Sequence, residues 1–276
     1  MIQVSGKPLE MTDSWNLGSM ERIIIEKMHN SPGLYSFPSM DAFLFDINVR
    51  KNMIESAEKM NQSQAVFTIF EYARCNPDYW YLTAQGGFQL HPNRKPSQAI
   101  LDIFNNSFLY AFECATACVI IFYHALLHRI GEEKFNELFP QLYLYSWHTE
   151  PNLGLYTFYS DHYIPSDVVY IKNPDYNPST PWFRGLNAVA LTSGQFYSHG
   201  FGIKSHKEII DILNQNRSPG SDRTAYVTNL VTRISSESIS MTRTINNAFI
   251  PIVVHHNKSS ISCKRYISYL QKMISS

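Results

Sequence analysis

Cys114 sits in Tyr110-Ala111-Phe112-Glu113-Cys114-Ala115-Thr116-Ala117, where a loop turns into a long apolar stretch. The pattern predicts a helix from about Glu113 to His128. A thiol at a helix start faces unpaired backbone N–H groups and the positive end of the helix dipole. Both favour thiolate, the form that attacks a carbonyl carbon. The plainer alternative is a buried, inert cysteine, because free Cys packs as a small hydrophobe. His199 lies in Phe196-Tyr197-Ser198-His199-Gly200-Phe201-Gly202-Ile203. A polar ring beside glycines, where a strand begins, can point at the helix end of another element. A cysteine and a histidine so placed are the parts of a nucleophile–base pair for acyl transfer.

Other constellations are weaker. His124 and His128 are spaced to share a helical face, but Ala125 stands where a zinc hydrolase carries Glu. A packed or surface pair is the simpler reading, and no metal site is expected. Cys118 lies one turn after Cys114 and no second cysteine pair completes a zinc site. His255 and His256 read as solvated. No phosphate-binding or dinucleotide loop is present, so no cofactor is expected. Trp147, Trp182 and Phe183 are either core or the walls of a substrate channel.

The elements that must position these groups follow from pattern. Residues 1–35 mix short apolar runs with Gly and Pro and read as an arm wrapped on the body. A helix after Ser39 buries Phe43, Ile47, Ile54 and Ala57 and carries Arg50 and Lys51 on its wet face. Ala65–Phe70 reads as a strand, and Tyr79–Thr83 with Phe88–Leu90 as a hairpin around Gln85-Gly86-Gly87. Helices are expected over Ser97–Phe104 and Glu132–Phe139. Strands follow over 142–147, 168–171, 188–191, 195–196, 201–203, 226–234 and 249–254, with helices over 207–214 and, in a polar tail, 266–273. Helices first and strands later point to an α+β fold with a mainly antiparallel sheet.

Of 276 residues, 44% are apolar and 17% charged, which predicts a packed globule. Net charge is zero, so the field that sequence-independent nucleic-acid binding needs is missing. The longest apolar run, Ala117 to Tyr123, is too short to cross a bilayer. The opening MIQVSGKPLEMTDSW lacks a basic cluster followed by an apolar run, so no secretory leader is expected. Four cysteines without framework spacing read as reduced thiols in a cytoplasmic protein.

The order of Cys114 at a helix start, the Asp167-led strand and His199 at a later strand resembles the NlpC-type papain-like cysteine peptidases. A closer resemblance covers almost the whole chain, residues 1–276. Phe112-Glu113-Cys114-Ala115-Thr116-Ala117, Tyr145-Ser146-Trp147-His148, the stretch from Asp167 to Pro174 and Ser198-His199-Gly200-Phe201-Gly202-Ile203 occur in one order. Together they resemble the Bacillus-type spore-coat transglutaminases, the protein-glutamine γ-glutamyltransferases. That resemblance implies a single papain-like domain whose nucleophile helix packs on the sheet. It implies Cys114 as nucleophile, His199 and Glu113 as proton carriers, and no calcium. On the channel reading of the aromatics, Trp147, Trp182, Phe183 and Asn187 are the substrate-binding residues. The partners implied are spore-coat proteins carrying reactive Gln and Lys, met in the mother cell and then in the coat. One position departs from the family: Leu186 stands where it carries a Glu taken as the catalytic acid. Either Glu113 serves alone or activity is low or absent. A cysteine amidase or peptidase and an inactive structural homologue are the alternatives.

Overall fold

The computed structural model describes residues 1–10 and 17–235, together with the backbone of 253–256 and 259–262. Contacts divide the chain into two units, Met1–Ile239 and Ser240–Ser276. The expected helix at 266–273, residues 249–252 of the last expected strand, Cys263 and the side chains of His255 and His256 lie outside the described residues.

The first unit opens with strands β1 (Ile2–Val4) and β2 (Lys7–Pro8), helix α1 (Ser19–Asn30) and strand β3 (Tyr35–Phe37). β1 pairs with both β2 and β3. Ile2, Ile24, Ile25, Met28 and Phe37 are buried in the main core. The segment expected as an arm thus brings a helix and a small sheet of its own.

Helix α2 (Met40–Asn61) starts at Ser39, whose Oγ accepts from the Ala42 N–H at 3.1 Å. It buries Phe43, Ile47, Ile54 and Ala57 as the periodicity requires. Arg50 corrects the sequence reading. It is 5% exposed, and its Nε meets Asp46 at 2.7 Å while Nη1 meets Asp167 at 3.1 Å. Arg233 holds the other Asp167 oxygen at 2.6 Å. Buried charges persist when paired and hydrogen-bonded in this way. Lys51 stays half-exposed beside Glu21 and Glu55.

Strand β4 (Val66–Phe67), the hairpin β5 (Trp80–Leu82) and β6 (Phe88–Leu90), helix α3 (Pro96–Asn105) and strand β7 (Ala111–Phe112) follow. β4 is shorter than the expected Ala65–Phe70 strand and pairs in parallel with β7. Helices α4 (Cys114–Ile130) and α5 (Glu132–Leu138) come next, then β8 (Tyr143–Leu144), the remnant of the expected 142–147 strand.

The rest of the unit builds one antiparallel sheet. Its strands are β9 (Leu155–Tyr159), β10 (Val168–Lys172), β11 (Gly185–Ala190), β12 (Phe196–Ser198), β13 (Gly202–Lys204) and, after helix α6 (His206–Gln215), β14 (Tyr226–Ile234). Their order is β13-β12-β11-β10-β14-β9. Strand β9 is not anticipated from pattern. Every residue of α4 from Ala115 to Leu127 is buried, because α2 covers one side of the helix and β11 another. That is the expected α+β arrangement.

Alternation along β11 sorts its side chains. Leu186, Ala188 and Ala190 join an apolar layer with Ile209 and Leu213 of α6. Val189 joins the core that contains α4, and Asn187 shares that face. In the second unit β15 (Val253–His256) and β16 (Ser259–Ser262) pair antiparallel. No helix among the described residues is long and apolar enough to cross a membrane.

Candidate active site

Glu113 is the N-cap of α4. Its Oε2 accepts from the Ala115 N–H at 2.6 Å, and its Oε1 from the Thr116 N–H at 2.6 Å and the Thr116 hydroxyl at 2.8 Å. A carboxylate here stabilises both the orphan amides and the positive helix end. Thr116 Oγ1 in turn accepts from the Ser146 N–H at 2.9 Å. That bond holds Ser146 in a left-handed conformation, φ 50°, and so fixes the loop that carries Trp147.

Cys114 is half-buried, and the Asn187 side-chain amide donates to its Sγ at 3.5 Å. The thiol is not acidified as a bare helix end would require. Burial and then the Glu113 charge push it up to about 11, and the Asn187 amide pulls the other way. The cap adds to burial: Glu113 takes two of the amides expected to be free and sets a negative charge beside the sulfur. The Cys114 N–H is the first-turn amide that the cap leaves uncovered.

Glu113, Cys114, Trp147, Trp182 and Asn187 line one cleft of about 600 Å³, with Phe67, Tyr170 and Arg184 among the other walls. Phe183 lines an adjoining groove with Phe201 and Tyr72, and the two share Phe67, Ile69 and Trp182. Trp182 is 44% exposed, a surface aromatic rather than core. Gly185 has φ 154°, and a Cβ there would run into the Tyr170 hydroxyl and the Ile171 carbonyl, so only glycine lets β11 approach that wall.

His199 lines neither hollow. It is 5% exposed and stacks on Phe112 at 4.6 Å, with Phe67 at its edge. Its Nδ1 lies 3.2 Å from the Tyr197 hydroxyl, and Nε2 is buried without a hydrogen-bond partner. Burial pushes the imidazole down to about 4, with the Val66 carbonyl acting in the opposite direction. β11 and β12 pair at Val189↔Tyr197, and Ser198 Oγ donates to the Asn187 carbonyl at 2.9 Å. β12 ends at Ser198, so His199 stands in the turn between β12 and β13, one residue past the strand that pairs with β11.

Leu186 is 3% exposed and points into the layer under α6, away from the cleft. Asp167 is bound to Arg50 and Arg233 and takes no part. Cys118 is buried beside Cys114, and burial holds its thiol well above the usual range. His124 and His128 form a pair, Nε2 to Nε2 at 3.2 Å, with His124 Nδ1 on Ser56 Oγ at 2.7 Å. No group of three metal-ligating side chains occurs among the described residues. Sequence reasoning missed Thr116 and Tyr197. Thr116 carried a signal, following the cap by three residues, and Tyr197 stands two residues before His199 in the sequence.

The family model for protein-glutamine gamma-glutamyltransferase matches residues 1–243. The chain belongs to this family. A protein-glutamine gamma-glutamyltransferase of Halalkalibacterium halodurans is 49% identical over 275 residues, covering 98% of this chain and 97% of the relative. One from Bacillus mycoides is 45% identical over 234 residues, 83% of this chain and 85% of its own. The solved transglutaminase from Geobacillus stearothermophilus, without its C-terminal extension, superposes with a TM-score of 0.71 at 43% identity. It covers 74% of this chain and 98% of that one. The α+β architecture is the family's papain-like fold.

The cap predicts how a Glu113 variant behaves. Glu113→Gln keeps one acceptor oxygen but turns an NH2 group toward a helix amide. A loss of about 1–2 kcal/mol is expected, a few degrees in the thermal melt. If the carboxylate also carries protons, acyl transfer falls by on the order of a hundredfold. A folded variant at full rate would leave Glu113 as a cap alone.

Proposed function

We propose that this chain is a protein-glutamine γ-glutamyltransferase that works through a Cys114 thioester. The observation that carries this is the half-buried Cys114 thiol in an aromatic-walled cleft, with the Asn187 amide on its sulfur. With the thiol held up and the imidazole held down, the resting pair is neutral at pH 7. The thiol proton passes to His199 or Glu113 as Sγ attacks the glutamine carboxamide carbon. The oxyanion is met by the Cys114 N–H. Ammonia leaves with the returned proton, and a thioester remains. A lysine amine then attacks that thioester, gives its proton to the same carriers and releases Cys114. The product is an ε-(γ-glutamyl)lysine isopeptide bond. None of these steps calls for calcium or another cofactor.

Water competes for the thioester, and the Trp147 and Trp182 walls favour the amine by limiting its access. Phe183 extends the aromatic surface into the adjoining groove. The resemblance to the Bacillus-type enzymes supports spore-coat proteins as the Gln and Lys donors, with action in the mother cell and then in the coat. The test is incubation with a casein-like protein and a labelled primary amine. Covalent incorporation is expected. Deamidation of glutamine without incorporation would make the chain an amidase, and neither product would make it an inactive homologue.

A further inference from the structure

The imidazole of a Cys–His pair needs its second ring nitrogen held, because that contact fixes which nitrogen carries the lone pair. Of the two positions where the family resemblance places a carboxylate for the task, one is engaged elsewhere and the other carries none. Glu113 spends its oxygens on the start of α4. Position 186 is a leucine facing the layer under α6. Asn187, next along the strand, is turned to the Cys114 sulfur. What meets His199 Nδ1 is the hydroxyl of Tyr197, at 3.2 Å.

We propose that Tyr197 is a positioning residue for the Cys114–His199 pair, its phenol taking the place of the missing strand carboxylate. The inference rests on the acyl-transfer reading above. Tyr197 belongs to β12 and His199 to the turn that follows it, and both are buried. The Tyr197 ring is fixed in the core that holds α4. Stacking on Phe112 sets the plane of the imidazole, and the Tyr197 contact sets its rotation within that plane. With Nδ1–H donated to Oη, Nε2 carries the lone pair, and Nε2 is the ring nitrogen without a partner. It takes the Cys114 proton and returns it to the departing ammonia, while Nδ1–H stays on Oη throughout. A neutral phenol stabilises imidazolium less than a carboxylate does, which agrees with a ring that burial holds down. The other titratable groups at this corner come from the start of α4. Glu113 raises the Cys114 and Cys118 thiols, in each case after burial, and Cys118 raises the Tyr197 hydroxyl, again after burial.

Tyr197→Phe tests this, since it removes one oxygen and leaves the packed ring. Amine incorporation is expected to lose roughly tenfold to a hundredfold in kcat, part of what a positioned base contributes, with KM for the glutamine donor little changed. The acid limb of the kcat profile moves to lower pH, because imidazolium loses an acceptor. Independently of activity, nitrogen NMR of the histidines reads the tautomer. The signal that disappears in His199→Gln is expected as Nδ1–H alone in wild type and as a mixture in Tyr197→Phe. An Nε2–H ring in wild type, or one tautomer unchanged in the variant, would overturn the proposal even if the enzyme is active. So would a Tyr197→Phe protein with unaltered kcat and pH profile. Failure of the acyl-transfer reading is separate: wild type would then incorporate no amine, whatever the NMR reads.

Discussion

Cys114→Ala is expected to abolish amine incorporation while the protein melts within a few degrees of wild type. The sulfur is half-buried at the cleft wall, so its loss removes little core. The helix start does not depend on it, since Glu113 and Thr116 build the cap. Without a nucleophile no acyl-enzyme forms, and the expected loss is on the order of ten-thousandfold or more. Cys118→Ala is the contrast. Cys118 is one turn on and buried, and burial holds its thiol well above the usual range. Its replacement costs about 1 kcal/mol of packing and leaves most activity. Rates of labelled-amine incorporation and thermal melts for both variants decide the matter. If Cys118→Ala is as damaging as Cys114→Ala while folded, the nucleophile is wrongly assigned.

Leu186→Glu is expected to destabilise the protein severely without raising its activity. The family resemblance leads one to expect a carboxylate at this position, and restoring one looks like a gain of a catalytic acid. The fold argues otherwise. Leu186 pairs with Ile171 across β10 and β11 and packs with Ala188, Ile209 and Leu213. A carboxylate in that layer meets no donor and ionises only at a penalty of several pKa units, about 3–5 kcal/mol at neutral pH. For a chain of this size the melt falls by roughly 10 °C or more. Isosteric Leu186→Met, which keeps the volume, costs under about 1.5 kcal/mol. A stable Leu186→Glu protein with faster amine incorporation would place this side chain at the cleft, contrary to the strand alternation seen here.

Much of the scaffold was legible locally. The apolar periodicity after Glu113 marked α4, Ser39 marked the start of α2, and the Gln85-Gly86-Gly87 turn marked the β5–β6 hairpin. These depend on caps, turns and spacing within a few residues, which is the range over which sequence pattern acts. The motif blocks likewise identified the family. Strand β9 and the elements of residues 1–35 escaped, because short strands draw their order from partners far along the chain.

What each side chain faces was decided only by the tertiary structure. Arg50 reads as a solvated helix residue until Asp167, 117 positions away, arrives to pair with it. Leu186 and Asn187 are neighbours in sequence, yet the pleat of β11 sends one under α6 and the other to the Cys114 sulfur. The Cys114 thiol illustrates the same division. Sequence alone determined that it begins a helix, and the helix end by itself favours thiolate. The fold buries the sulfur and presses the Glu113 carboxylate onto the helix amides, and these raise the thiol instead. Desolvation and charge pairing depend on what surrounds an atom in space: Cys114 meets Asn187 of a strand 73 residues on, His199 stacks on Phe112 of β7, and Leu186 packs under α6.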